Sequence, residues 1–303
     1  VAYPRTFACL FALSLLCGLQ LLLAHEAVAG PCDPPNNEIV CENSKTGNPP
    51  SEWDVEGSGD SSIQGFATNI SVDQGGTVNF KIDTGSDKYR LDIYRMGYYG
   101  GSGARKVATV KPSASLPQSQ LACKTEASTG LIDCGNWAVS ASWVVPASAV
   151  SGIYFAKLER EDKSSGGSHI VFVVRDDDGK SDLLFQTSDT TWEAYNAYGG
   201  NSLYQGGPGT NPNRAYKVSY NRPLITRGPI AEDSPFNAEY PMVRWLERNG
   251  YDVSYFTGVD TDRSGAELLE HKAYLSVGHD EYWSGQQRAN VEAARDAGVD
   301  MAF

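Results

Sequence analysis

The stretch Ala273-Tyr274-Leu275-Ser276-Val277-Gly278-His279-Asp280-Glu281-Tyr282-Trp283 carries the densest chemistry in the chain. An apolar run reads as a short buried strand and breaks at a glycine. An imidazole, two carboxylates, a phenol and an indole then crowd the turn before the helix-like Ser284–Ala297. In open α/β sheets, ligands bind just past the carboxyl ends of strands. Imidazole titrates near neutrality, so His279 could move a proton as general acid or base. Carboxylates are hard oxygen donors that could grip a cation. The bland alternative is a capped, hydrogen-bonded turn that only joins strand to helix.

Other nucleophiles and metals fit less well. Serine catalysis lacks its Gly-x-Ser-x-Gly elbow, and the chain after Lys180 contains no cysteine. Zinc favours His and Cys ligands. Beyond the first 29 residues only His169, His271 and His279 remain, and His271 sits at an expected helix end, where its charge suits the dipole. Glycoside hydrolysis by Asp280 and Glu281 ranks last, because neighbours on one turn rarely face each other across a bond.

These residues need elements to position them, and the sequence supplies two kinds. From Glu52 to about Val174 the pattern has period two. Val78, Phe80 and Ile82 alternate with Thr77, Asn79 and Lys81, and Tyr89, Leu91 and Ile93 alternate with Arg90, Asp92 and Tyr94. Ser142–Val145, Ile153–Leu158 and His169–Val174 are further strand-like runs, separated by Gly, Asp, Ser and Pro. Such spacing predicts an antiparallel β-sandwich over residues 51–178. Asp176-Asp177-Asp178-Gly179-Lys180 is a polar break, and beyond it the period changes. Leu183–Gln186, Tyr251–Phe256, Tyr274–Val277 and Val299–Phe303 read as strands. Tyr240–Arg248, Ser264–His271 and the segment after Ser284 read as helices. Met242, Val243, Trp245 and Leu246 give the first of these an apolar stripe, and Gly250 ends it. Ser284 and Gln287 form a capping box for the last helix, and Gly298 stops it. Strand and helix alternate, which predicts a three-layer α/β domain with a parallel sheet over residues 179–303, flavodoxin-like or amidotransferase-like.

Length and charge agree with a two-domain exported protein. The 303 residues give room for about two domains at roughly 150 each. The net charge of −12 and the lack of a Lys/Arg-rich run exclude nonspecific nucleic-acid binding. Residues 1–29 have the form of a secretory signal: Arg5, then the leucine-rich Phe7–Ala24, then Ala27-Val28-Ala29 as a cleavage motif. An uncleaved anchor is the runner-up; after cleavage no membrane span is expected. Residues 30–50, rich in Pro, Asn and Gly, read as an exposed lead-in. Cys9 and Cys17 fall in the signal, and the other four cysteines form two local pairs. An even count in an exported chain favours disulfides. We expect Cys32–Cys41 and Cys123–Cys134, each adding roughly 2–3 kcal/mol. The expected location is secreted, periplasmic or cell-surface. Asn69-Ile70-Ser71 is a glycosylation sequon.

The segment from Thr187 to Glu239 is too long for an ordinary connection, and loops of that length are usually functional. It holds Trp192-Glu193-Ala194-Tyr195-Asn196-Ala197-Tyr198-Gly199-Gly200-Asn201-Ser202-Leu203-Tyr204, then Tyr216, Tyr220 and Arg222-Pro223. It begins at a strand end and should share the sheet edge with Glu281. Its tyrosines read also as the packing of a glycine-rich brace.

In order along the chain stand Thr187-Ser188-Asp189-Thr190-Thr191-Trp192, Ala194-Tyr195-Asn196, Tyr220-Asn221-Arg222-Pro223, Glu239-Tyr240-Pro241, Trp245-Leu246-Glu247 and Gly278-His279-Asp280-Glu281-Tyr282-Trp283. In these motifs, from about Glu52 to Phe303, the chain resembles the large (β) subunit of N,N-dimethylformamidase and the wider secreted family named after it. The resemblance implies an amidohydrolase acting on a small amide at a single iron, as Fe3+, held by two tyrosines and one glutamate. By motif the glutamate falls on Glu281, with His279 beside it, and one tyrosine on Tyr195. Tyr240 is the favoured second ligand, with Tyr220 and Tyr198 as alternatives. A family asparagine is expected beyond Phe303, so the chain reads as a C-terminally truncated member whose α/β domain is incomplete. The family enzyme pairs with a small subunit, which makes such a subunit or a homo-oligomer an expected partner. The competing expectation is a non-enzymatic carbohydrate-binding protein, with Tyr94, Tyr98 and Tyr99 as a glycan platform or as ordinary sheet packing.

Overall fold

Apolar side chains at every second position force the first half of the chain into strands that bury one face. The computed structural model describes residues 30–162, 166–210, 213–225 and 235–303; the expected signal and its cleavage motif lie outside the described residues. Two short helices, α1 (Glu38–Asn43) and α2 (Pro50–Trp53), precede ten strands: β1 (Ile63–Ala67), β2 (Ser71–Asp73), β3 (Thr77–Thr84), β4 (Tyr89–Met96), β5 (Ala104–Val110), β6 (Lys124–Glu126), β7 (Leu131–Asp133), β8 (Ala141–Val144), β9 (Gly152–Arg160) and β10 (Gly167–Arg175). A three-stranded sheet, β1-β3-β8, and a five-stranded sheet, β2-β10-β9-β4-β5, share one core. Val78, Phe80 and Ile82 of β3 enter it, with Leu91, Ile93, Leu158 and Phe172 from the facing sheet. Strands β6 and β7 form a separate ribbon.

Strict alternation fails in β4, β9 and β10, which are buried at nearly every position. The central strands of the five-stranded sheet are covered on both faces. Its second face carries Tyr94, Met96, Phe155, Val171 and Val173 into another core, shared with the second half of the chain. Tyr94 and Tyr99 are therefore buried, and the Tyr99 hydroxyl donates to Glu42 at 2.8 Å. Tyr94 and Tyr99 are thus packed inside rather than displayed, while Tyr98 is half-buried with the Arg248 guanidinium over its ring at 5.6 Å.

The second half begins with β11 (Leu183–Gln186) and α3 (Asp189–Tyr195), followed by α4 (Tyr240–Arg248), β12 (Val253–Phe256), α5 (Gly258–Arg263), β13 (Ala273–Ser276), α6 (Gly285–Asp296) and β14 (Asp300–Ala302). The four strands are all parallel, in the order β12-β11-β13-β14. Leu184, Tyr274, Val291 and Ala294 form the core between this sheet and α6. Val243 and Leu246 of α4, with Phe185, Val253 and Tyr255, meet the five-stranded sheet on the other side. The helix expected over Ser264–His271 starts earlier. Thr257 accepts from the Asp260 amide and Asp260 answers to the Thr257 amide, a capping box that sets the first turn at Gly258. Only a single 3-10 turn, Glu267–Glu270, follows.

Residues 30–50 are not an exposed lead-in throughout, because α1 is amphipathic and lies against α4. Ile39 is fully buried in the second core, and Glu42 is buried on Tyr99 and Arg105. Both expected disulfides, Cys32–Cys41 and Cys123–Cys134, are present. They close loops with sequence separations of 9 and 11. No helix among the described residues is long and apolar enough to cross a membrane.

One charge pair joins all these parts. Arg95 of β4 meets Glu247 of α4 through two bonds of 2.9 Å, with both side chains 0% exposed. Glu247 also accepts from Tyr255 at 2.8 Å and from Asn43 at 2.8 Å. Removing one partner leaves the other charge buried and unpaired, a loss of about 3–5 kcal/mol. Arg95→Met should therefore lower unfolding stability by that amount in urea melts. The Arg95→Met/Glu247→Met double variant should be more stable than Arg95→Met alone.

Candidate functional site

The chain leaves β11 towards β12 on one side and later returns to build β13 on the other. That reversal opens a crevice at the carboxyl ends of β11 and β13, where ligands collect in such sheets. Two hydroxyls from the start of α3 clamp the turn that follows β13. Thr191 Oγ1 accepts from the Glu281 amide at 2.9 Å and the Tyr282 amide at 3.3 Å, and Thr190 Oγ1 donates to the Tyr282 carbonyl at 2.6 Å. Asp280 turns back to the strand ends, where it accepts from Gln186 at 2.8 Å and Ser276 at 2.6 Å. Burial raises its pKa. Glu281 faces the other way, into the crevice.

Three phenols gather at Glu281. Tyr195 donates to its Oε2 at 3.0 Å, and Tyr204 lies 2.9 Å from both carboxylate oxygens. The Tyr282 hydroxyl is 2.7 Å from that of Tyr204. The Tyr195 and Tyr204 rings stack with centroids 4.1 Å apart. His279 Nε2 stands 3.5 Å from Glu281 Oε2, and both side chains are 40% exposed, so solvent can reach them. Burial, reinforced by the neighbouring phenols and carboxylate, holds the Tyr204 pKa above its ordinary value.

Tyr204 reaches Glu281 because the chain doubles back after α3. The Leu203 amide donates to the Ala194 carbonyl at 2.9 Å. Arg222, 1% exposed, braces the fold-back by donating to the carbonyls of Asn201 at 2.8 Å, Glu193 at 3.1 Å and Ser219 at 3.2 Å. Asn196 adds a bond of 3.0 Å to the Pro223 carbonyl. The Ala-Tyr-Asn and Arg-Pro motifs thus form one structural unit.

Of the residues singled out from sequence, the structure brings Tyr195, His279 and Glu281 together. It does not bring Tyr240 to them. Tyr240 opens α4, but its phenol lies against Gly103 and its ring sits edge-on to Trp53 at 5.9 Å. Tyr220 is turned inward and donates to Asp189 at 2.7 Å. Tyr198 packs beside Cys123, Cys134, Phe66 and Trp137. Tyr204 and Tyr282, which the sequence reading did not name as ligands, stand at Glu281 instead. The available signals were the adjacency of Tyr282 to Glu281 and the small Gly199-Gly200 pair, which permits the fold-back towards Tyr195. Among the described residues no three His, Cys, Asp or Glu side chains cluster as a cation site. The donor set at Glu281 is one carboxylate with phenols.

Three buried carboxyls surround this centre. Asp189 accepts from the Gly258 amide at 2.6 Å and from Tyr220, and burial lifts its pKa to about 6. Glu239 accepts from the Ser188 amide at 3.0 Å, the Ser188 hydroxyl and Trp192 Nε1 at 2.9 Å, and burial lifts it to about 7. Gly278, at φ +89°, leaves room for that carboxyl, since a Cβ there would lie 2.8 Å from Glu239 Oε1. Glu193 lies 3.6 Å from Arg222, yet burial outweighs pairing on both sides: it raises Glu193 to about 7 and lowers Arg222.

An acid whose folded pKa exceeds its unfolded value binds its proton more tightly in the native state. Its stabilising effect is complete below the unfolded pKa and is lost as pH rises through the folded one. Denaturation midpoints should therefore fall between about pH 4.5 and about pH 7.5. Glu239→Gln keeps the accepting oxygen and removes the titration. It should flatten that fall by on the order of 2–3 kcal/mol, measured by urea melts across pH. An unchanged slope would count against Glu239 as a source.

Thr191 touches only the backbone of the turn, so its contribution to the site is positional. Thr191→Val should loosen the turn, read as faster hydrogen exchange at the Glu281 and Tyr282 amides, and Thr191→Ser should restore their protection. Unchanged exchange in the Val variant would mean that Thr191 does not hold the turn.

The family model described as "N,N-dimethylformamidase beta subunit-like, C-terminal" matches residues 90–303. Among curated proteins none matches the chain. Several solved structures share slight likeness. An uncharacterized protein from Bacillus anthracis str. Ames has 14% identity and a TM-score of 0.21, over 36% of this chain and 82% of that one. Domain 1 of VCBP3 from Branchiostoma floridae has 10% identity and a TM-score of 0.22, over 38% of this chain and 94% of that one. A cycloisomaltooligosaccharide glucanotransferase from Paenibacillus sp. has 11% identity and a TM-score of 0.20, over 79% of this chain and 27% of that one. Likeness this slight carries no weight for fold or function.

Proposed function

The chain belongs to the N,N-dimethylformamidase beta subunit-like family, and from that membership we propose that it is an exported amidohydrolase, cleaving the C–N bond of amides or formamides. Tyr195, Tyr204 and Glu281 would hold a mononuclear iron. The observation that carries the proposal is the convergence of two stacked phenols on one carboxylate beside a half-exposed imidazole. Phenolate and carboxylate oxygens are hard donors and suit Fe3+. Tyr204 takes the place that pattern reading gave to Tyr240.

Iron bound there supplies Lewis acidity towards an amide carbonyl or a water. The protein supplies the rest. His279 takes a proton from the attacking water at Nε2 and returns it to the departing nitrogen, so that water and amide become carboxylic acid and amine. Glu281 keeps the imidazole near, at 3.5 Å. Asp280 and Thr191 hold the turn on which both sit. The strand order supports a flavodoxin- or amidotransferase-like sheet. Residues 179–303 contain no cysteine, which favours the oxygen donors over a thiol nucleophile. The two disulfides support export to an oxidising compartment.

The full chain should bind close to one iron per site and show a visible phenolate-to-Fe3+ charge-transfer band. Tyr204→Phe should weaken and shift that band. Glu281→Ala should lose iron, and its turnover of N,N-dimethylformamide should fall by more than the about 10–100-fold typical of an outer-shell change. Protein free of transition metal, or a Glu281→Ala variant with normal turnover, would sink the proposal.

A further inference from the structure

Helix α4 carries two apolar faces where folding needs one. Val243 and Leu246 are buried in the core. Met242 and Trp245, three residues apart and so neighbours on the helix surface, are 40% and 52% exposed. With Pro241 and Val277 they wall a groove of about 870 Å3 that ends at His279. The same imidazole stands 3.5 Å from Glu281. Gly278 lines the junction without a side chain, and its φ of +89° disfavours one. The groove and the Glu281 centre therefore meet at His279.

The groove is built for a small apolar ligand. Tyr251 stacks on the Trp245 indole with centroids 5.3 Å apart, which holds the ring in place before anything binds. Trp offers a large rigid surface, and Met adapts to varied shapes and contacts aromatic rings well. The volume lies within the about 300–1,000 Å3 of sites for small organic molecules. A dimethylamino group would leave most of it filled with water. A stable protein partner needs roughly 20–30 residues a side, and this groove presents only a handful.

We infer that the groove is the subsite for a bulky apolar substituent of the amide, so that the enzyme prefers N-alkyl and N-aryl amides larger than dimethylamides. This rests on the amidohydrolase proposal above. Hydrophobic transfer gives about fourfold in kcat/KM per added methylene, until the groove is filled. His279 stands where the apolar arm meets the scissile bond.

The test uses the full iron-loaded chain and a series of N-methyl-, N-butyl-, N-hexyl- and N-benzylformamide. Wild-type kcat/KM should rise along the alkyl series, with the benzyl compound among the best. Trp245→Ala should cut the benzyl-to-methyl ratio at least tenfold, and Trp245→Phe should keep most of it. A half-exposed Trp can be replaced without loss of the core, which equal melting temperatures would verify. Calorimetric binding of a non-hydrolysable N-benzyl sulfonamide reads the groove without turnover and should weaken about tenfold in Trp245→Ala. Binding with that dependence but no turnover of any amide would refute the hydrolase proposal and keep the groove as an apolar subsite. A kcat/KM independent of chain length, or a ratio indifferent to Trp245→Ala, overturns the inference. So does an oligomer that falls apart in Trp245→Ala, because Trp245 would then serve a protein interface.

Discussion

The Arg95–Glu247 pair is the interaction on which the rest of the structure depends. Two opposite charges are withdrawn from water, and only a full set of partners offsets that cost. The set is complete: the Arg95 guanidinium also donates to the carbonyls of Met96 at 2.9 Å and Ser151 at 2.8 Å. Its partners come from α1, β4, α4, β12 and the segment before β9. Apolar contacts alone tolerate sliding by a fraction of a side chain, whereas a two-pronged guanidinium–carboxylate contact does not. The pair thus fixes α4 and β12 against the five-stranded sheet. Helix α4 then supplies the wall beside His279, and β12 aligns β11, whose far end starts the crevice.

Topology does the next part of the work. Because the strands run parallel in the order β12-β11-β13-β14, segments 90 residues apart leave the sheet side by side. Thr191, just beyond β11, can then hold the turn beyond β13 by its backbone. Within that turn two adjacent carboxyls receive opposite duties. Asp280 folds back on Gln186 and Ser276 and secures the strand ends. Glu281, freed from structural service, faces the phenols. A carboxylate pair acting across a glycosidic bond is therefore excluded by direction, not only by spacing.

What was legible in the sequence follows from range. Strands β11 and β13, the Ser284–Gln287 capping box and both disulfides are each set by residues within a dozen positions of one another, and local pattern carries them. Helix α4 was legible as a helix, but its stripe is two faces: Val243 and Leu246 point inward, Met242 and Trp245 outward. The alternation in β4 did not reveal that both of its faces are buried, because the second covering layer comes from distant segments, Ile39 and Trp53 before it and Phe185 to Tyr255 after it. Tyr204 escaped for the same reason. Its position depends on Arg222 gathering carbonyls from a loop with no regular period. Tyr240 misled because opening a helix near the sheet edge says nothing about the direction of its phenol, which Trp53 and Gly103 decide.

The three buried carboxyls show what the centre costs and why the fold retains it. Burial favours their protonated forms, and apolar residues of similar size would fill the same space without that penalty. Each one instead anchors a different piece of the crevice. Asp189 joins the start of α3 to the start of α5 through Gly258. Glu239 gathers Ser188 and Trp192 against Gly278. Glu193 sits between Asn196 and Arg222, under the tyrosine fold-back. Hydrogen bonds have direction and apolar contacts do not, so polar anchors hold Tyr195, Tyr204 and Glu281 to a common point more tightly than a greasy interior could. Stability is surrendered where three side chains from separate segments are held to one point.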